Sequence, residues 1–307
     1  MTGSVPCPKC TVTRDPDVSL TARFEAARPQ LGAIAYRMLG SIDDAQDAVQ
    51  EAWLRLSGSP ADGIANLDAW LTTVVARICL NMLRDRRARG REELAAVLPD
   101  PIVEADGEFD PEHRAMLAEA VGLALFVVLD TLPPEQRLAF VLHDAFAVPF
   151  DQIAPIVGRT PEATRKLASR ARRRIEEADP APDRDVTAQR EAVDAFFAAG
   201  RSGDFDRLVA VLHPDVVLRG DFGRGAAGFR AEGAPAVARL ARAYAGPDRE
   251  VRAATVNGAA GAVIFVAGQA TAIMGFVVRD GLVASIDVLA DPVRIAKSDL
   301  GALRAGH

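Results

Sequence analysis

The 307-residue sequence predicts a multidomain fold: two all-α domains followed by an α+β domain. Three observations predict it. Apolar residues recur at helical spacing through most of the chain up to Glu177. The stretch Asp179-Pro-Ala-Pro-Asp-Arg-Asp then breaks that pattern, and short β-like runs dominate the C-terminal third. A chain of this length can bury two or three cores.

Residues 1–19 read as a disordered tail. Cys7 and Cys10 form a Cys-x-x-Cys pair, half of a zinc site or a thiol switch, but no second ligand pair follows at zinc-knuckle spacing. Incidental thiols and no metal are therefore expected. With three cysteines in all, a disulfide framework is not, and Cys79 reads as a helix core residue. The N-terminus has no basic flank followed by an apolar stretch, so no secretory signal is read. The longest apolar run, Ala120 to Leu129, is about half the length that spans a bilayer. The expectation is a cytoplasmic protein without a membrane segment.

Residues 20–91 form the first helical unit. Ala45, Val49, Ala52, Trp53 and Leu56 share a helical face, opened by Ser41 and a first turn rich in Asp43, Asp44 and Asp47, which suits a helix N-terminus. The loop from Ser57 to Gly63 stops it. A second helix runs from about Asn66 to Arg87, with Trp70, Val74, Ile78, Leu80 and Leu83 apolar and arginines at its C-terminal end. Residues 92–114 are an acidic linker by composition, punctuated by Pro99, Pro101 and Pro111. Helices resume over 115–178, a second linker covers 179–186, and the last unit covers 187–307. That unit opens with helices near Ala188 to Arg201 and Phe205 to Leu212. Its β-like runs are Val216–Arg219, Val251–Val256, Ala262–Val266, Ala270–Val278 and Leu282–Leu289, expected to form an antiparallel sheet.

The net charge of −6 lies wholly before residue 181, where 21 basic residues face 27 acidic ones. Two basic blocks nevertheless stand out. Arg84 to Arg91 holds five arginines, and Arg165 to Arg174 holds six basic residues with no acid; Glu92 to Glu112 holds eight acids and no base. Local basic patches are what phosphate binding requires, whatever the total charge. The second block lies in Val148 to Ile175, which has the grammar of a helix-turn-helix. Gly158 can take the left-handed turn, Thr160 can cap the next helix, and Pro161 fits its first position. Thr164, Leu167, Ala168, Ala171 and Ile175 form the packing face. Arg165, Lys166, Ser169 and Arg170 are candidate base readers in a major groove, and Arg172, Arg173 and Arg174 candidate phosphate contacts. Pro155, inside the first helix of the motif, should kink or shorten it.

At this point the chain resembles the extracytoplasmic-function (group IV) RNA polymerase sigma factors. Asp44-Ala-Gln-Asp-Ala-Val-Gln-Glu-Ala-Trp-Leu-Arg is similar to the region-two helix that grips the β′ clamp of core polymerase; the resemblance assigns that contact to Asp44, Asp47, Gln50 and Glu51. Ala69 to Arg87 resembles the helix that melts and reads the −10 element, which implies Arg77, Asn81 and Arg84 as promoter-facing, with Arg86 and Arg87 on phosphates. Leu132-Pro-Pro-Glu-Gln-Arg and the helix-turn-helix resemble region four, implying −35 binding through Arg165, Lys166, Ser169, Arg170 and Arg173. Gln189 to Leu208 and Leu212-His-Pro-Asp-Val-Val-Leu resemble the opening of a SnoaL-like domain of the NTF2-like cone fold. Sigma factors with that fused tail use it for regulation, and Leu98-Pro-Asp-Pro resembles their linker motif. Of the subgroup's two tail loops, Asp221-Phe-Gly-Arg-Gly keeps Asp221 and Gly223, and Asp291-Pro-Val-Arg-Ile keeps Pro292 and basic Arg294.

The resemblance implies no cofactor and no catalysis. Relatives of the tail fold use a pocket carboxylate, so Asp221, Asp287, His213 and Tyr244 are the residues to inspect; His213, before Pro214 at a helix end, reads as a cap. Gly223, Gly225 and Gly228 read as a flexible loop. A small ligand of the tail stays open. A helix-turn-helix regulator acting without polymerase, a cyclase-like or isomerase-like tail, and a purely structural interaction protein are the alternatives.

Overall fold

The computed structural model describes residues 16–59, 64, 66–89, 98–105, 123–178, 183, 185–223 and 226–305. Cys7, Cys10, Gly225, residues 115–122 and most of the acidic segment lie outside the described residues. Helices α1 (Pro16–Leu39), α2 (Ile42–Ser57) and α3 (Leu67–Arg89) form the first helical part. Ser41 Oγ caps α2 by accepting from the Asp44 amide at 3.4 Å, and Ala45, Ala48, Val49, Ala52 and Leu56 turn inward. Trp70 is partly buried in the same core. Burial pushes the Cys79 thiol up to about 12, so it behaves as an inert apolar group.

The second part comprises α4 (Leu123–Thr131), α5 (Pro134–Phe140) running into a π-helical turn (Val141–Ala145), α6 (Phe150–Val157) and α7 (Pro161–Ala178). Gly158 takes φ +68° between α6 and α7, and Thr160 Oγ1 accepts from the Ala163 amide at 3.2 Å. α7 buries Thr164, Ala168 and Ala171, with Leu167 and Ile175 beside them. α6, with Pro155 inside it, is eight residues long. The two helical parts do not bury separate cores. Leu31, Tyr36 and Leu71 of the first share one cluster with Leu138, Val141 and Ile153 of the second. Each fully buried side chain of this kind stabilises that union by roughly 1.5–3 kcal/mol relative to exposure.

The C-terminal part runs α8 (Val186–Ser202), α9 (Phe205–Ala210), β2 (Leu212–Asp221), β3 (Phe229–Glu232), α10 (Ala234–Tyr244), β4 (Arg249–Val256), β5 (Ala259–Val266), β6 (Gln269–Arg279), β7 (Leu282–Leu289), α11 (Pro292–Lys297) and α12 (Gly301–Ala305). Helices open this part and the sheet follows, the α+β order expected from the sequence. Three hairpin turns, Asn257-Gly258, Ala267-Gly268 and Asp280-Gly281, hold both residues at positive φ, the twist-compatible geometry for two-residue connections. The sheet is mixed, not wholly antiparallel: β2 lies parallel to β7, because the long excursion through α10 and the β4–β7 meander brings the chain back in the same direction. His213 lies in β2, where its Nδ1 accepts from the Asp215 amide at 3.2 Å; it caps no helix.

Part of the acidic linker is structured. Leu98, Ile102 and Val103 are buried, and β1 (Val103–Ala105) adds an antiparallel edge strand beside β4. Averaged composition hides these three apolar residues among the acids. One sheet face carries α8, α9 and α10. The other packs α11 and α12, and receives α4 of the second helical part, whose Ala124 meets Val277 and Ala284. Gly275 permits that approach, since a Cβ there would lie 3.3 Å from the Leu123 Cβ.

Candidate nucleic-acid and polymerase interface

On α2, Asp47 and Gln50 are exposed, while Glu51 is half-buried and accepts from Arg55 at 2.9 Å. Asp44, one turn earlier, pairs with Arg86 of α3. Arg86 also donates to the Leu39 carbonyl at 2.9 Å, at the negative end of the α1 dipole. The residues assigned to polymerase thus share one helix but not one state: Asp44 and Glu51 already hold cations, while Asp47 and Gln50 face water.

Arg77, Asn81 and Arg84 form a stripe on α3 at i, i+4 and i+7, all three exposed. Arg84 is also paired. Its Nη2 and Nε donate to Glu135 Oε1 of α5 at 2.7 and 3.0 Å. Burial alone would raise the Glu135 carboxyl. The hydrogen bond from Arg84, the backbone at the start of α5 and the charges of Arg84 and Arg87 outweigh it and hold the carboxyl below its ordinary value. Beside it, Arg137 is 2% exposed, pairs with Asp130 and donates to the Arg37 carbonyl at 3.0 and 3.2 Å. The second helical part is therefore seated on the end of α1 and against α3.

On α7 the candidate readers Arg165, Lys166, Ser169 and Arg170 are exposed, as are Arg173 and Arg174. Arg165 lies over the Phe150 ring at 5.3 Å, and Arg173 approaches Glu177 at 3.6 Å. Arg172 is held by Asp144 of the π-helical turn at 2.5–3.0 Å. The face suits a major groove, with one arginine spent on positioning the helix.

The tail loops converge on the linker. Arg294 donates to Asp100 Oδ1 at 2.6 Å, to Asp221 Oδ2 at 2.8 Å and to the Leu98 carbonyl at 2.5 Å. Asp221 Oδ2 also accepts from the Leu98 amide at 2.8 Å, and its Oδ1 from Gly223 at 2.9 Å. A Cβ on Gly223 would lie 2.5 Å from an Asp291 oxygen, and Asp291 caps α11 with Pro292 in its first turn. Those are the four tail residues singled out from the sequence, and the structure brings them together. Asp100 in turn accepts from the Ile42 amide at 3.0 Å, and its carbonyl accepts from the Tyr36 hydroxyl at 2.6 Å. Buried Asn257 donates to that hydroxyl at 2.9 Å and accepts from the Ile102 amide at 3.0 Å. Burial drives the Tyr36 phenol strongly upward, so it acts as a donor throughout the ordinary pH range.

Asp100, Glu135 and Arg137 lie inside motifs visible in the sequence, but nothing in those motifs assigns the three residues a contact. Asn257 is legible only as half of an Asn-Gly turn; Tyr36 carries no signal. The carboxylates inspected for catalysis do not converge. Asp287 is buried on an ion pair with Arg219 at 2.6 Å, Asp221 belongs to the linker junction, and Tyr244 is exposed beside Arg249. Phe196, Phe197 and Phe276 meet at ring distances of 5.4–5.7 Å on the helix-covered face. Among the described residues no helix is long and apolar enough to cross a membrane.

Known proteins share this division. Residues 23–89 match the family described as Sigma-70 region 2, and residues 123–175 match Sigma-70, region 4. The chain is similar to the ECF RNA polymerase sigma factor SigJ of Mycobacterium tuberculosis (strain ATCC 25618 / H37Rv), at 40% identity over 306 residues, 92% of this chain and 96% of the relative. It is 33% identical over 289 residues to the probable ECF RNA polymerase sigma factor SigI of Mycobacterium tuberculosis (strain CDC 1551 / Oshkosh), covering 93% and 96%. The crystal structure of the Mycobacterium tuberculosis SigJ superimposes with a TM-score of 0.73 at 38% identity, over 91% of this chain and 99% of that one.

Proposed function

The chain belongs to the extracytoplasmic-function RNA polymerase sigma factors, and on that premise we propose how its parts divide the work of initiation. α2 meets the β′ clamp through Asp44, Asp47, Gln50 and Glu51. α3 holds the opened −10 strand through Arg77, Asn81 and Arg84, with Arg86 and Arg87 on phosphates. α7 anchors the −35 duplex through Arg165, Lys166, Ser169, Arg170 and Arg173. No bond is made or broken by the chain. The boundaries that go with this division are 20–91 for region two, 115–178 for region four and 187–307 for the tail.

The tail acts as a regulatory brace and not as an enzyme. One observation carries that reading: Arg294 and Asp221 together grip Leu98 and Asp100, the segment that joins the two sigma regions. A brace on the joint biases how far the regions can separate, a two-state effect set by the difference in contacts between closed and open chains. The ion pair of Asp287 with Arg219 and the aromatic packing under the helices support a role without substrate.

Run-off transcription with purified core polymerase and a promoter library tests both halves. The full chain should initiate from a defined promoter class. Arg294→Ala and a deletion after Ala178 should change the yield. No initiation by any form would overturn the sigma assignment of roles; identical yields from all forms would overturn the brace.

A further inference from the structure

α3 and α5 belong to different sigma regions, yet they meet through one carboxylate. Pro133 and Pro134 start α5, which fixes Glu135 in its first turn and aims it at α3. Both Arg84 contacts go to the same Glu135 oxygen, and the two side chains are 47% and 30% exposed. Arginine recognises carboxylate and phosphate with the same fork of donors. For Arg84, then, Glu135 stands where a backbone phosphate of the −10 strand would stand. A strand following the stripe Arg77, Asn81, Arg84 meets α5 at its last position. Arg137, buried against the Arg37 carbonyl two residues further along α5, fixes the obstruction in place. On α7 the comparable pair, Arg172 with Asp144, lies outside the readers Arg165, Lys166, Ser169 and Arg170, which are exposed in the same conformation.

We propose that Glu135 is a gate on the −10 half of the protein. By occupying Arg84 it withholds single-stranded DNA from α3 in the closed chain while leaving duplex binding by α7 available. The inference rests on the division of roles given above and adds an order to it: duplex contact is possible before the regions separate, and strand capture only afterwards. Core polymerase opens the gate by pulling the regions apart.

The test uses the full chain without polymerase. Glu135→Gln keeps the shape and removes the charge; Glu135→Ala removes both, and either can stand alone if the other folds poorly. The probes are a short fluorescent single strand of mixed sequence and a fluorescent duplex of mixed sequence, each titrated over a range of salt. Both variants should bind the single strand about two- to five-fold more tightly, the range by which a half-exposed ion pair biases an equilibrium. The log-log salt slope for the single strand should steepen by about 0.7, one added phosphate contact, with duplex affinity and slope unchanged. Adding Arg84→Ala should cancel the gain. Unchanged single-strand binding and slope, or an equal gain on both probes, overturns the gate. Failure of run-off initiation by the parent chain would sink the sigma roles instead, and is read separately.

Discussion

α3 and α7 are both helices with dense arginine near one end, and a count of charges treats them alike. The fold does not. On α7 the readers face water and the acid from elsewhere, Asp144, answers Arg172, whereas on α3 the reader Arg84 is itself answered, by Glu135, and Arg86 by Asp44. A basic helix is therefore available to nucleic acid only if no other segment has supplied an acid first. For Arg84 that acid comes from region four itself, and for Arg86 from the neighbouring α2.

The contrast between the two helices is erased most forcefully at Arg137. Arg137→Met leaves the Arg37 carbonyl without its donors and should destabilise the chain by about 2–3 kcal/mol in urea unfolding. The cost stays below that of a fully buried pair because Asp130 is 42% exposed. Single-strand binding by α3 should rise as region four loosens, making the two helices behave alike. Asn257→Leu comes next. It strips the Ile102 amide of its acceptor and puts a branched side chain at φ +50°, for about 2 kcal/mol by the same measurement. On the other helix, Arg170→Ala should cost about 1–3 kcal/mol of duplex affinity if it reads a base. The loss should be equal in parent and Glu135→Gln backgrounds, since α7 takes no part in the gate; unequal losses measured by anisotropy would join the two faces. Lys297→Ala removes an exposed contact with Asp43 and should leave the unfolding midpoint where it is. Smallest of all is the effect of pH. The Glu135 carboxyl is depressed when folded, so its pairing is fully present above about 4.5 and is lost only as pH falls through the lower folded value. Single-strand affinity should therefore show no gate-derived step between about pH 6 and 8.

Much of the fold is legible from residues alone, because local chemistry decides it. Ser41, Gly158, Thr160 and Pro161 mark helix ends by rules that act within a few residues, and Leu282–Leu289 matches the strand observed. Asp221, Gly223, Pro292 and Arg294 stand out by resemblance, and two of them, Asp221 and Arg294, contact the linker at Leu98 and Asp100. What sequence cannot supply is pairing over distance. Arg84 with Glu135 spans 51 residues and Tyr36 with Asn257 spans 221, and no periodicity encodes either. The parallel β2–β7 pairing and the edge strand β1 are hidden for the same reason.

If Glu135 gates α3, the chain is closed alone and opened by polymerase. Energy transfer between dyes on Ala88→Cys of α3 and Glu176→Cys of α7, in a chain with Cys7 and Cys10 changed to serine, measures that opening directly. Transfer should be high in the free protein and fall on adding core polymerase; transfer that stays high in a complex able to initiate would mean that initiation needs no separation of the regions, and the gate would fall with it.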